Sequence, residues 1–368
     1  MEARREGFIA ISFNPDDGTL ASGSHDQTIR LWNVWDGTCD TVIQDDAGGV
    51  WAVEFSPDGQ FLASGGNDGS VRLWDVQEKV CLSVFKGHTD WIWSVSFSPD
   101  GQTLVSSSND GSIRLWNIAD GTCMSILQGH TSAVRAIVFS PAIADNLLLA
   151  SVSLDFSMRL WNGRDGTCLK VLQGNPRGIW SVAFSPDGQI ASGSQDGSVR
   201  LWDRQSGACL SVLPGHTNWV RSVTFSPDGR MLATSSNDTQ IRLWKVDKGI
   251  CLKVLQGHTS GVRSLSFSPL SDGNEGRYIL ASSSFDASIR LWDIDNGICF
   301  KVLSGHTDWG WSIAFSPDGA ILGSCSNDSS IRLWNVLLLA TASLTIEPCG
   351  NPIPSLNKWN LTFFLPLA

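Results

Sequence analysis

An aspartate and a tryptophan separated by five residues recur eight times in this chain, and each tryptophan ends an Arg-Leu-Trp triplet. The pairs are Asp26/Trp32, Asp68/Trp74, Asp110/Trp116, Asp155/Trp161, Asp196/Trp202, Asp238/Trp244, Asp286/Trp292 and Asp328/Trp334. Successive tryptophans lie 42, 42, 45, 41, 42, 48 and 42 residues apart. A period this regular means that each copy is one supersecondary unit, which buries its apolar face only by stacking on its neighbours.

A length of 368 residues would ordinarily suggest two or three domains. The repeats run on without a linker, so a single domain over 1–346 is expected, with copies near 7–43, 44–85, 86–127, 128–172, 173–213, 214–255, 256–303 and 304–346. The remaining residues, 347–368, do not resemble the repeat and are read as a poorly ordered tail. A start in mid-repeat and an unrelated tail also fit a piece of a longer repeat protein. Apolar residues make up 42% of the chain, enough for a large core. The net charge of −10 argues against general binding to nucleic-acid phosphates, which requires a basic stripe, but leaves room for a local basic patch.

Seven of the nine cysteines occupy one register of the repeat: Cys39, Cys81, Cys123, Cys168, Cys209, Cys251 and Cys299. They form no CxxC pair, so neither a metal site nor a redox motif is indicated, and no cofactor is expected. Small, buried, apolar side chains are the expected role. Free thiols in this number suit a reducing cytoplasm. The N-terminus carries no signal-peptide pattern, and no apolar run is long enough to span a membrane.

Within the copy from Cys81 to Ile118, four short β-rich runs alternate with tight turns: Cys81–Phe85, Trp91–Ser98, Thr103–Ser108 and Ser112–Ile118. Ser-Pro-Asp-Gly at 98–101 and Asn-Asp-Gly-Ser at 109–112 supply turn chemistry. The unit is therefore four antiparallel strands. Longer turns after the first long strand of copies four and seven account for the 45- and 48-residue spacings. The recurring pattern GH…FSPDG…LASGS-x-D-G-S-x-R-L-W-D resembles the WD40 repeat over about nine-tenths of the chain. That resemblance implies an all-β fold, an eight-bladed β-propeller of four-stranded antiparallel blades around a central channel, or alternatively seven closed blades and a spare repeat. The apolar segment 337–346 is the expected outer strand of blade eight, because Met1–Glu6 is too short and too charged to complete it.

Ser or Thr stands four residues before each motif aspartate, and five copies also carry Gly-His. Ser, His and Asp in register invite a hydrolase reading. A triad is recognised by geometry and roles, however, and five copies around a ring are a building rule; no Gly-x-Ser-x-Gly elbow is evident. In the family, these residues and the tryptophan form a hydrogen-bonded tetrad inside the blade. Carried over by register, the tetrads are His88, Ser106, Asp110 and Trp116; His130, Ser151, Asp155 and Trp161; His216, Thr234, Asp238 and Trp244; His258, Ser282, Asp286 and Trp292; and His306, Ser324, Asp328 and Trp334. Alignment puts Arg4, Asp46 and Asn175 at the histidine position of copies one, two and five, so these blades should be the softer ones, their aspartates relying on backbone N–H groups and serine. The motif arginines are read as locally paired or stacked strand residues.

Repeat proteins copy their core and vary their surface. In WD40 propellers the channel entrance on the top face is lined by two inner-strand positions and the residue before the motif aspartate. The first position gives Gly7, Gly49, Trp91, Ala133, Gly178, Trp219, Gly261 and Trp309. The second gives Ile9, Trp51, Trp93, Arg135, Trp180, Arg221, Arg263 and Trp311. The third gives His25, Asn67, Asn109, Leu154, Gln195, Asn237, Phe285 and Asn327. Seven of the nine tryptophans outside the motif fall on these positions. Trp and Arg dominate binding hot spots, so a non-enzymatic scaffold or sensor that binds a protein or peptide here is the leading expectation. Recognition of a small ligand, such as a methylated amine or a sugar, at an aromatic-lined mouth is the alternative. The near-identical copies most resemble bacterial multi-repeat WD40 proteins, which implies a place in a larger multidomain protein or complex.

Overall fold

A computed structural model describes residues 7–16, 18–141, 147–269 and 278–336. Within them the chain forms eight antiparallel sheets in strict sequence order, seven of four strands and the last of three. The expected outer strand of blade eight at 337–346, the tail at 347–368, the segment Met1–Glu6 and most of the two longer turns lie outside the described residues. In blade three the strands are Ile92–Phe97, Thr103–Ser108, Ile113–Asn117 and Cys123–Leu127, close to the runs expected from the sequence.

Each first strand packs beside the first strand of the next blade, and that of blade one packs beside that of blade eight. The ring is thereby an eight-bladed propeller, not seven blades with a spare. Its seam is apolar: Phe8, Ile11, Leu20 and Val34 of blade one share a cluster with Ile321 and Cys325 of blade eight. The other clusters also sit between blades rather than within them. Val71, Leu73 and Phe85 of blade two, for example, meet Ile92, Val95, Leu104 and Trp116 of blade three. Fully burying one such side chain contributes about 1.5–3 kcal/mol, so stability comes from stacking around the ring, as the repeat period requires. Gly65 shows how closely the blades approach, since a Cβ there would stand 2.4 Å from Cγ2 of Ile92.

The seven in-register cysteines correct the expectation of burial. Six are exposed and Cys299 is half-buried, while Cys325, outside that register, is fully buried. The reason is positional. They are the first or second residue of the outermost strand, which has no strand of its own blade beyond it and fully buries only one residue at or near its end, such as Phe85 or Leu127. Four of them instead sit against a motif arginine, as Cys123 does with the Arg114 guanidinium at 3.7 Å.

Candidate functional site

The Ser-His-Asp constellation lies inside the blades. In blade three the Trp116 indole N–H donates to Ser106 Oγ at 2.9 Å, His88 Nε2 meets the same hydroxyl at 2.8 Å, and His88 Nδ1 meets Asp110 Oδ2 at 3.1 Å. A neutral imidazole protonated on Nδ1 satisfies every contact: indole to hydroxyl, hydroxyl to Nε2, Nδ1–H to carboxylate. The Thr89 backbone N–H donates to the same carboxylate at 3.0 Å. The arrangement recurs as His130, Ser151, Asp155 and Trp161, with contacts of 2.8 Å throughout. His216, Thr234, Asp238 and Trp244 meet at 2.9 Å. His258, Ser282, Asp286 and Trp292 meet at 2.8–2.9 Å, and His306, Ser324, Asp328 and Trp334 at 2.9–3.0 Å. Burial pushes His258 and His306 down, toward the neutral form. Despite a burial cost that opposes it, hydrogen bonding holds the carboxyls of Asp110, Asp155, Asp238, Asp286 and Asp328 below the usual range. Each Ser or Thr hydroxyl is 0% exposed and already engaged on both sides, so none can reach a substrate carbonyl.

The three blades without histidine use arginine. Arg30 pairs with Asp26 at 3.0 Å, Arg72 with Asp68 at 2.8 Å and Arg200 with Asp196 at 3.8 Å. In the other five blades the same arginine leaves the aspartate to histidine; Arg114, Arg159 and Arg332 donate instead to the carbonyls of Gly87, Gly129 and Gly305. In blade two the histidine site is taken by Asp45, not Asp46. Its carboxylate accepts from Ser64 Oγ at 2.5 Å and pairs with Arg72 at 3.0 Å. The turn there holds one more residue than in blade three, and Asp46 absorbs it with a φ of 57°. In blade five Asn175 occupies the site and accepts from Arg200 at 2.7 Å. Arg4 lies outside the described residues.

The three top-face registers converge through one backbone hydrogen bond per blade. The N–H of the residue before the motif aspartate donates to the carbonyl of the first position, from His25 to Gly7 at 3.0 Å through Asn109 to Trp91 at 2.8 Å to Asn327 to Trp309 at 2.9 Å. The second position is in every blade the extra residue of a β-bulge in the first strand, where pairing skips Ile9, Trp51, Trp93, Arg135, Trp180, Arg221, Arg263 and Trp311. A bulge unpairs one residue and re-aims its side chain. Repeated eight times, it sets one ring of side chains at the channel mouth.

Those side chains and their neighbours at the other two registers form three aromatic groups, and Arg135 bridges two of them. Trp51 stacks on Trp91 with centroids 5.5 Å apart, and both touch Trp93. Across the ring Phe285 meets Trp309 at 4.9 Å and Trp311 at 6.3 Å. Arg135 lies 3.5 Å from the centroid of Trp93 and 4.0 Å from that of Trp180. Arg221 lies 4.7 Å from both Trp180 and Trp219, which stack on each other, and Arg263 lies 5.2 Å from Trp311. The asparagines chiefly position their neighbours. Asn109 Oδ1 accepts from the Trp93 indole at 3.2 Å while its amide donates to Asp90 at 2.7 Å. Asn237 accepts from Arg221 at 2.9 Å, and the buried Asn327 donates to Asp308 at 2.9 Å. Trp91 and Trp309 are 40% and 39% exposed; Trp51, Trp93, Trp180, Trp219 and Trp311 are half-buried.

Among the described residues no carboxylate pairs with Arg135, Arg221 or Arg263. Burial, with repulsion from Arg263 and Arg221, pushes Arg135 down to about 9. Burial pushes Arg221 and Arg263 down to about 10, Arg263 adding to the effect on Arg221. All three stay cationic at neutral pH. The indole N–H groups of Trp180 and Trp311 are buried without an acceptor. The mouth is therefore cationic and rich in donors within a chain of net charge −10. At the opposite mouth, a cavity of about 480 Å³ is lined by residues including Ile11, Val53, Glu54 and Phe267.

Two features escaped the sequence reading. The bulge has no signature in period-2 alternation. Phe156, 49% exposed with a φ of 73°, stands in the turn after Asp155 where three other blades have glycine. A bulky residue at positive φ is rare, and that mismatch with the other copies was the available signal.

The profile for the WD domain, G-beta repeat, matches residues 5–33, 207–245, 249–293 and 297–335, and that for the IFT122 first beta-propeller matches residues 49–205. The crystal structure of the computationally designed Ika8 protein superposes with a TM-score of 0.78 at 26% identity, over 91% of this chain and 98% of that one. Protein HIRA from Zea mays is 51% identical over 35 residues, 10% of this chain. The match spans only 4% of that relative's length, so it speaks to one repeat alone.

Proposed function

We propose, on the premise that this chain belongs to the WD40-repeat β-propeller family, that it is a non-enzymatic interaction scaffold or sensor whose top face binds a protein or peptide. The observation that carries this reading is the exposure of Trp91 and Trp309, at 40% and 39%, each backed by half-buried aromatic neighbours. A large indole that is open to solvent yet fixed from behind loses little freedom on binding and buries much area, which is what an interface anchor requires. The face spans several blades and suits an extended partner. A methylated amine in the aromatic mouth is disfavoured, because guanidinium groups already lie against Trp93, Trp180, Trp219 and Trp311 and would repel a second cation.

Screening a peptide array with wild type, Trp91→Ala and Trp309→Ala tests the proposal. Peptides retained by wild type and lost by both variants are the expected result. Retention by both variants would place recognition elsewhere on the ring.

A further inference from the structure

Three arginines of the bulge ring, Arg135, Arg221 and Arg263, come from three different blades and converge on the channel. Arg135 and Arg221 lie against the same Trp180 ring, at 4.0 and 4.7 Å from its centroid. Among the described residues none of the three has an anionic partner, and only Arg221 makes a hydrogen bond, through Nε to Asn237 at 2.9 Å. Among the arginines of the Arg-Leu-Trp triplets, by contrast, Arg30, Arg72 and Arg200 are engaged by carboxylates and Arg114, Arg159 and Arg332 by carbonyls. Half-buried like charges without a counter-ion repel one another and cost stability, while their planar forks remain available for bidentate bonding to carboxylate or phosphate. The indoles that hold them fix their orientation in advance. A cleft of one sign between apolar walls also focuses its field on an approaching charge.

We propose that the channel mouth between Arg135, Arg221 and Arg263 is a receptor site for an anionic group, phosphoryl or carboxylate, carried by the peptide that docks on the top face. The assignment rests on the docking reading above and adds the charge of what enters. The exposed tryptophans anchor the chain of the partner, and the arginines receive its acid.

The test separates the two ideas. Intrinsic tryptophan fluorescence is followed while the full chain is titrated with inorganic phosphate, pyrophosphate and citrate. Saturable changes are expected, weakening as salt is raised. Arg135→Gln and Arg263→Gln should each weaken the binding about tenfold or more, Arg135→Lys less than Arg135→Gln, and neither Gln variant should lower unfolding stability, since each removes a cation that has no carboxylate partner. No saturable change up to about 10 mM, or equal affinity in the Gln variants, overturns the site. On an array carrying matched serine, glutamate and phosphoserine versions, preference for the acidic versions that disappears in Arg263→Gln supports it, and the relative signal of glutamate and phosphoserine identifies the source of the charge. Peptides that bind through Trp91 yet ignore acid content and the Arg263→Gln change would overturn the anion site while leaving docking intact. Anion binding without any peptide binding would support the site and overturn docking. Tighter binding of a single-stranded oligonucleotide than of any acidic peptide would overturn the peptide as its source.

Discussion

Arg72 lies 2.8 Å from Asp68, and the same guanidinium reaches Asp45 at 3.0 Å, at the site where blade three places His88. One arginine thus holds two carboxylates, and Asp45 is almost wholly buried. Arg72→Met should cost about 3–5 kcal/mol, the range for a buried charge stripped of its partner. Arg114→Met, in a blade where histidine serves the aspartate, should cost about 1 kcal/mol or less, because no ion pair is lost, only a hydrogen bond to Gly87 and looser contacts with Cys123 and Trp116. Urea unfolding of the two variants checks the difference. Equal losses would mean that arginine does not replace histidine in the blades that lack it.

His88→Ala and Trp116→Phe each leave a buried partner unsatisfied and should cost at least roughly 1–3 kcal/mol, before any packing loss. Folded protein should lose no chemical activity with either change. Loss of a hydrolase activity in still-folded His88→Ala protein would contradict a purely structural tetrad.

Glu54 occupies the first strand of blade two, where it accepts from the Phe97 N–H at 3.2 Å and Ser96 Oγ at 3.3 Å. Burial pushes its carboxyl up from an ordinary 4.5 to about 7. The folded state therefore binds more protons than the unfolded state between those values, and stability falls as pH rises through that window. Glu54→Gln should flatten the decline between pH 4.5 and 7 and be the more stable protein above it. Both proteins should still lose stability below about pH 4, as the low-pKa tetrad carboxylates such as Asp110 are protonated. Thermal unfolding across pH checks the comparison; parallel curves would contradict it.

The repeat period was enough to place the blades, their strands and their inter-blade cores, because Asp-x5-Trp and the turn residues fix register locally. The tetrad residues were legible for the same reason. Substitutions at the histidine position were legible only in part: a one-residue difference in the turn moved the role from Asp46 to Asp45, and the response of Arg72 depends on geometry across strands. The cysteines looked buried because small sulfur side chains usually are, yet they stand at the start of an edge strand. The top-face positions could be read by register, but not the bulge that turns Trp93 or Arg263 toward the channel, nor the lack of a counter-ion for three cations.

The most direct measurement of the central claim pairs affinity with stability for Trp91→Ala, using the tightest peptide recovered from the array, calorimetry and denaturant unfolding. The exposed indole should cost about 1–2 kcal/mol or more of affinity, while unfolding stability changes by less than about 1 kcal/mol. Unchanged affinity in the folded fraction, with destabilisation as large as that of Trp116→Phe, would make Trp91 a structural residue and remove the binding face.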